Sequence, residues 1–135
     1  MCYRYIAPGY FEIVQAWEID MDQPAVFTPG QDVKPTEMVP VVRCGIDGRL
    51  RLDWMRWGLI PAWWKDASPP KLTFNARSEE AAHKPTWRDS YRNGRCLMPA
   101  LGWFEWKTLE AEETSRGRKK QVKQPYYMTP TQDQM

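Results

Sequence analysis

The stretch VPVVRCGIDGRLRLDW, residues 39–54, decides the fold class. Residues 39–45 are apolar and β-branched, the composition of a pleated strand. Asp47-Gly48 reads as a two-residue hairpin turn, because Gly tolerates the positive φ such turns need. Residues 49–54 then alternate polar and apolar, so Leu50, Leu52 and Trp54 share one face. The phase slips after Trp54, and Met55 and Trp57 carry the alternation on. A β-bulge at 54–55 would absorb that slip. An antiparallel hairpin therefore sits near the middle of the chain, and it implies a mainly antiparallel sheet.

On the N-terminal side, residues 21–37 carry Pro24, Pro29, Gly30 and Pro35 and read as an irregular crossing loop. Residues 11–19 (FEIVQAWEI) suit either a strand or a short helix. On the C-terminal side, WGLIPAWWKDASPP (57–70) is an aromatic, proline-rich loop. After Arg77 a short helix is expected, with Ser78 as cap, Glu79 and Glu80 in its first turn, and Lys84-Pro85 closing it. Residues 86–91 form another helical turn. RCLMPALGWFEWK (95–107) reads as a strand with a Pro/Gly irregularity. On it Trp103, Glu105 and Lys107 share one face, and Phe104 and Trp106 the other. Residues 108–124 are polar and end in the basic run RGRKKQVKQ, a solvated hairpin tip or linker. PYYMT (125–129) begins a strand with no visible partner. No internal repeat is present. The expectation is one α+β domain over residues 1–135, with a mainly antiparallel, barrel-like sheet and short helices.

Composition narrows the class. With 135 residues the chain supports one core. Hydrophobic residues at 42% and charged residues at 27% are those of a globular protein. Eight Trp are many for this length and point to a core, a stacking surface, or both. Trp54, Trp57, Trp87, Trp103 and Trp106 are the core candidates. The net charge of +2 is unevenly spread. Residues 1–45 hold Arg4, Lys34 and Arg43 against twice as many carboxylates, so the basic surplus lies downstream and is compatible with nucleic acid. Cys2, Cys44 and Cys96 are odd in number and share no CxxC spacing, which suits a reducing, cytoplasmic setting over a disulfide framework. A zinc site from these cysteines and His83 is disfavoured, since no two ligands lie within one turn. No metal and no organic cofactor are expected. MCYRYIAPGY has no apolar core of a signal peptide. No stretch approaches the roughly 20 apolar residues of a membrane span.

Cys2 carries the most specific chemistry. Removal of Met1 would put an α-amine and a thiol on one carbon skeleton. In ordinary peptides both groups reach their nucleophilic forms near neutral pH. An aldehyde can form an imine with the amine, and the thiol can then close a five-membered thiazolidine. An internal cysteine cannot, because its nitrogen is held in an amide.

Several motifs accompany Cys2 in order: Met1-Cys2-x-Arg4-Tyr5, Thr28-Pro29-Gly30, and Trp57-Gly58-Leu59-Ile60-Pro61-Ala62-Trp63-Trp64. Asn75-Ala76-Arg77-Ser78-Glu79 and Arg95-Cys96-Leu97-Met98-Pro99-Ala100 follow, then Gly102-Trp103-Phe104-Glu105-Trp106-Lys107. In this order the chain resembles the SRAP family, the SOS-response-associated peptidases, over most of residues 1–107. The resemblance implies binding of single-stranded DNA at abasic sites, a thiazolidine crosslink from the N-terminal cysteine to the sugar aldehyde, and an autopeptidase step that removes Met1. By similarity Asn75 positions the cysteine and the opened sugar, and Glu105 moves protons. Arg4 and Arg77 match arginines that contact phosphates. Trp63 and Trp64 are a pair on which bases would stack, and Pro29 matches a proline near the DNA kink.

Two features depart from the family pattern. Tyr3 stands where a Gly is usual, beside the nucleophile. The family domain also continues well past residue 135 and supplies there a histidine that assists imine formation. His83 does not match that position and reads as a helix-surface residue. The sequence thus reads as a partial domain lacking the C-terminal half of the family fold, with unpaired strand edges unless another copy covers them. The rival readings are a non-catalytic single-strand-binding module, an inactive truncated fragment, and a peptidase acting on other proteins. The last is disfavoured because no Cys-His pair of the protease kind is present. Oligomeric state stays open.

Overall fold

A computed structural model describes residues 2–19, 29–109, 112–113 and 119–131. Met1, the whole 21–28 segment of the crossing loop with Pro24 and Thr28, and residues 116–118 of the basic run lie outside the described residues.

The central hairpin forms from β3 (Met38–Cys44) and β4 (Leu50–Arg56), defined here with β1 (Tyr5–Ala7) and β2 (Gln31–Val33) before them. The register runs unbroken from Met38↔Arg56 to Cys44↔Leu50, so the expected bulge at 54–55 does not exist. The slip in the pattern is tolerated because β4 is nowhere fully buried; Trp54 is 40% and Met55 37% exposed. The turn also differs from expectation. Gly48 N–H donates to the Gly45 carbonyl at 3.0 Å with Gly48 at φ +78°, and Gly45 N–H reaches Arg49 at 2.8 Å. The loop is therefore Ile46-Asp47-Gly48, three residues with Gly in the left-handed position, not two.

β3 is buried on both faces from Val39 to Val42, which explains its near-continuous apolar run. Val39 and Val41 pack with Tyr5, Ala7, Val33 and Trp57. Val42 packs on the other side with Tyr10, Ile13 and Ile19. Tyr10 and Ile13 belong to α1 (Tyr10–Trp17) and Ile19 follows it, so the ambiguous 11–19 segment is mostly helix. Glu12 settles this locally by reaching back to accept the Gly9 N–H at 2.5 Å. Glu18 in the left-handed conformation ends the helix. Ile13 is completely buried, which anchors α1 on β3.

The second sheet has the order β2-β1-β5-β8, all antiparallel, with β5 at Gly102–Thr108 and β8 at Lys123–Met128. β8 thus has a partner that the sequence did not reveal: it pairs with β5 from Trp103↔Met128 to Thr108↔Lys123. Between them in sequence, β6 (Glu112–Glu113) and β7 (Lys119–Lys120) pair antiparallel with each other. The described strands form open sheets and do not close the expected barrel. The 95–101 part of the expected strand makes one bridge, Leu97 to Val42, and only then does β5 begin.

Two short helices complete the fold, α2 (Ser78–Ala81) and α3 (Arg88–Asn93). Ser78 is the first residue of α2 and Arg77 occupies the cap, which corrects the capping assignment. Among the Trp core candidates only Trp57 is buried; Trp54 and Trp103 are exposed, at 40% and 37%. The core lies under β1, β2 and β3, and the part of the sheet towards β8 is not covered: Trp103, Tyr126 and Met128 all face out. No described helix is long and apolar enough to cross a membrane.

Candidate functional site

The geometry of residue 2 is set from the core outward. Tyr5 in β1 is buried with its ring edge-on to Trp57, centroids 5.3 Å apart. The Phe104 N–H donates to the Arg4 carbonyl at 2.9 Å, extending the β1–β5 pairing one residue upstream. Tyr3 packs edge-on against Phe74 at 5.2 Å. Cys2 is half-buried against the same core cluster, and its thiol donates to the Arg4 carbonyl at 3.4 Å.

Asn75 comes to this point from 73 residues away, and its Nδ2 donates to the Cys2 carbonyl at 2.8 Å. The segment carrying it is tied down on both strands of the loop. Leu59 N–H donates to the Thr73 carbonyl at 2.7 Å, and Trp57 Nε1 to the Phe74 carbonyl at 3.2 Å. One amide hydrogen of Asn75 is thereby committed to the protein's own N-terminal segment. Its second hydrogen and its carbonyl remain chemically suited to a ligand.

Beside this cluster lies a groove of about 410 Å³ walled by Tyr3, Glu105, Trp106 and Lys123. Alternation along β5 places Glu105 opposite Tyr126 of β8. Lys123 opens β8. Cys2 precedes Tyr3, so the Asn75–Cys2 bond lies one residue along the chain from the groove wall that carries Glu105, while neither Cys2 nor Asn75 belongs to the described wall.

The candidates for DNA contact are more scattered, and Arg4, Arg77, Trp63, Trp64 and Pro29 are absent from the described wall of this groove. Arg4 forms a two-pronged bond with Asp32, Nε to Oδ1 at 2.7 Å and Nη2 to Oδ2 at 2.5 Å. Its guanidinium lies 4.7 Å from the centre of the Phe104 ring. The bond from Arg4 holds the Asp32 carboxyl below the usual carboxylate range, and the same bond raises the guanidinium. Both side chains stay over a third exposed, so the pair is reachable from solvent. Arg77 is exposed at the start of α2. Trp63 is 49% exposed, and its Nε1 donates to the Pro85 carbonyl at 3.3 Å; Trp64 is half-buried and donates to the Ser68 carbonyl at 2.9 Å. Their rings are 6.0 Å apart and tilted by 59°, so each presents a separate face. Pro29 is exposed and lies close to Gly9, where an added Cβ would come within 2.9 Å of its ring. His83 is exposed just after α2.

Sequence reasoning missed Tyr5, Phe74, Asp32 and Lys123 as parts of the site. Two of them had a signal: Tyr5 in the Met1-Cys2-x-Arg4-Tyr5 motif, and Lys123 in its basic run. Burial pushes the Tyr5 phenol well above its ordinary range, with the acidic groups of Cys2 and Glu37 adding to it. Among the described residues there is no cluster of three or more His, Cys, Asp or Glu able to hold a metal ion.

Comparison with known proteins is consistent across sequence and structure. The family model "SOS response associated peptidase (SRAP)" matches residues 1–135. The abasic site processing protein YoqW of Bacillus subtilis is 34% identical over 113 residues, covering 82% of this chain and 50% of that protein. The abasic site processing protein HMCES of Xenopus tropicalis is 35% identical over 78 residues, 55% of this chain and 20% of that one. A crystal structure of a protein from Bordetella bronchiseptica matches with a TM-score of 0.62 at 25% identity, covering 90% of this chain and 55% of that one. The chain spans about half the length of YoqW.

Proposed function

The chain belongs to the SOS response associated peptidase (SRAP) family, and from that premise we propose that it is an abasic-site sensor that binds single-stranded DNA and crosslinks to it through Cys2. Residues 1–135 act in this reading as one domain. Water first cleaves the Met1–Cys2 peptide bond, releasing methionine and freeing the Cys2 amine. The amine then adds to the aldehyde of the ring-opened sugar, and water leaves as the imine forms. Sulfur adds to the imine carbon, the thiol proton passes to nitrogen, and a thiazolidine results with no further reactant.

The observation that carries this reading is the 2.8 Å bond from Asn75 to the Cys2 carbonyl. It orients residue 2 beside a groove, as a nucleophile needs if it is to meet a sugar in one geometry. Glu105 on the groove wall is the group that moves protons between nitrogen, sulfur and the departing water. Arg4 and Arg77 take phosphates. For Arg4 the phosphate shares or replaces Asp32, an exchange of low cost because the pair is solvent-exposed. The separated faces of Trp63 and Trp64 stack bases, and Pro29 lies near the kink. The names of the relatives, abasic site processing proteins, support the same substrate class.

Intact mass spectrometry after mixing with an abasic single-stranded oligonucleotide tests it. The expected species is protein without Met1 plus oligonucleotide less one water, and Cys2→Ala abolishes it while DNA binding persists. Absence of any adduct, with Met1 shown to be gone, would leave only the non-catalytic binding module.

A further inference from the structure

We propose that Tyr3 and Lys123 form a subsite for the nucleotide next to the reacting sugar, with Tyr3 stacking on its base and Lys123 holding its phosphate. The inference rests on the reading that Cys2 receives an abasic strand. Tyr3 follows Cys2 directly, about 3.8 Å away along the backbone. A strand whose sugar reaches Cys2 therefore delivers a neighbouring nucleotide to Tyr3.

Tyr3 has the properties of a stacking platform. It is 42% exposed on the groove wall, yet its ring is held by the edge contact with Phe74 at 5.2 Å. A ring already fixed loses little freedom when a base settles on it. Every base offers a π-face, so the contact tolerates any sequence. Charge favours a phosphate at the Lys123 end of the wall, where the ammonium attracts one. Lys123 makes no ion pair with another described residue, so no carboxylate there needs displacing. A volume of about 410 Å³ lies within the ordinary range of small-ligand sites, roughly 300–1,000 Å³.

The test uses single-stranded oligonucleotides with a tetrahydrofuran abasic analogue, which has no aldehyde and reports binding alone. In one set the flanking nucleotides carry bases; in the other they too are tetrahydrofuran. Fluorescence anisotropy should show the base-bearing set bound at least about fivefold more tightly by the parent protein. Tyr3→Phe should keep this ratio. Tyr3→Leu, which retains an apolar contact for Phe74, should lower it clearly, leaving only the share that Trp63 and Trp64 supply. Lys123→Gln should weaken both sets alike and lower the slope of log affinity against log salt by about 0.7. An unchanged ratio in Tyr3→Leu, or an unchanged salt slope in Lys123→Gln, overturns the subsite. If the parent protein binds the strand and forms the covalent adduct with a true abasic site but shows no base dependence, only the subsite fails. If it binds neither set, the abasic-strand reading falls as well.

Discussion

Replacing Asn75 by Ala removes the one described side-chain hydrogen bond between the 57–77 region and Cys2, 2.8 Å long and spanning 73 residues. A hydrogen bond of this kind contributes about 0.5–1.5 kcal/mol net. Because Cys2 is only half-buried, water can partly satisfy its freed carbonyl, so the lower half of that range is the expected loss of stability. For a chain of this size, that corresponds to a fall in Tm of roughly 2–4 °C. If the bond also orients residue 2, the same energy appears in the reaction. At saturating abasic DNA the crosslinking rate should drop about two- to fivefold, from RT at 298 K. Asn75→Asp should be slower still, since it sets a carboxylate oxygen against the Cys2 carbonyl. Quench-flow sampling read on denaturing gels gives the rate, and anisotropy with the tetrahydrofuran strand gives the affinity, which should hardly move. A crosslinking rate for Asn75→Ala equal to the parent, with Tm lowered, would show that the bond supports the fold and not the chemistry.

Three further outcomes follow from the geometry. Gly102→Ala should loosen β5 from β8, because the new Cβ would lie 2.5 Å from the Met128 carbonyl and 2.6 Å from the Tyr127 ring; hydrogen exchange over residues 123–128 that stays as slow as in the parent contradicts this. Asp32 has a depressed pKa through its bond from Arg4, so its contribution to stability is present above the unfolded-state value of about 3.9 and is lost as pH falls through the lower folded value. The difference in Tm between the parent and Asp32→Asn should therefore narrow as pH is lowered from about 5 to 3, and parallel curves would refute the assignment. The buried Tyr5 hydroxyl has no hydrogen-bond partner among the described residues, so Tyr5→Phe should leave stability unchanged or raise it by up to about 1–3 kcal/mol. A fall of more than about 1 kcal/mol in urea unfolding would mean that the hydroxyl is paired.

Features that depend on near neighbours were legible in the chain itself. The hairpin of β3 and β4, the alternating faces of β5, the short helices after Arg77 and the chemistry open to Cys2 all follow from side-chain period, turn residues and functional groups. The β-branched run of β3 marked a strand, but only packing decided that it is buried on both sides, between α1 and the β1 layer. The pattern slip at 54–55 had no structural consequence, because a half-exposed strand does not enforce its phase. The pairing of β8 with β5, the open sheets of the described strands, the bond of Asn75 to Cys2, the hold of Asp32 on Arg4 and the groove wall that Tyr3 and Lys123 share came only with the tertiary structure. Each joins residues far apart along the chain, and no local period encodes which distant partner a strand edge, an amide or a guanidinium will meet. That choice belongs to the packing of the whole molecule.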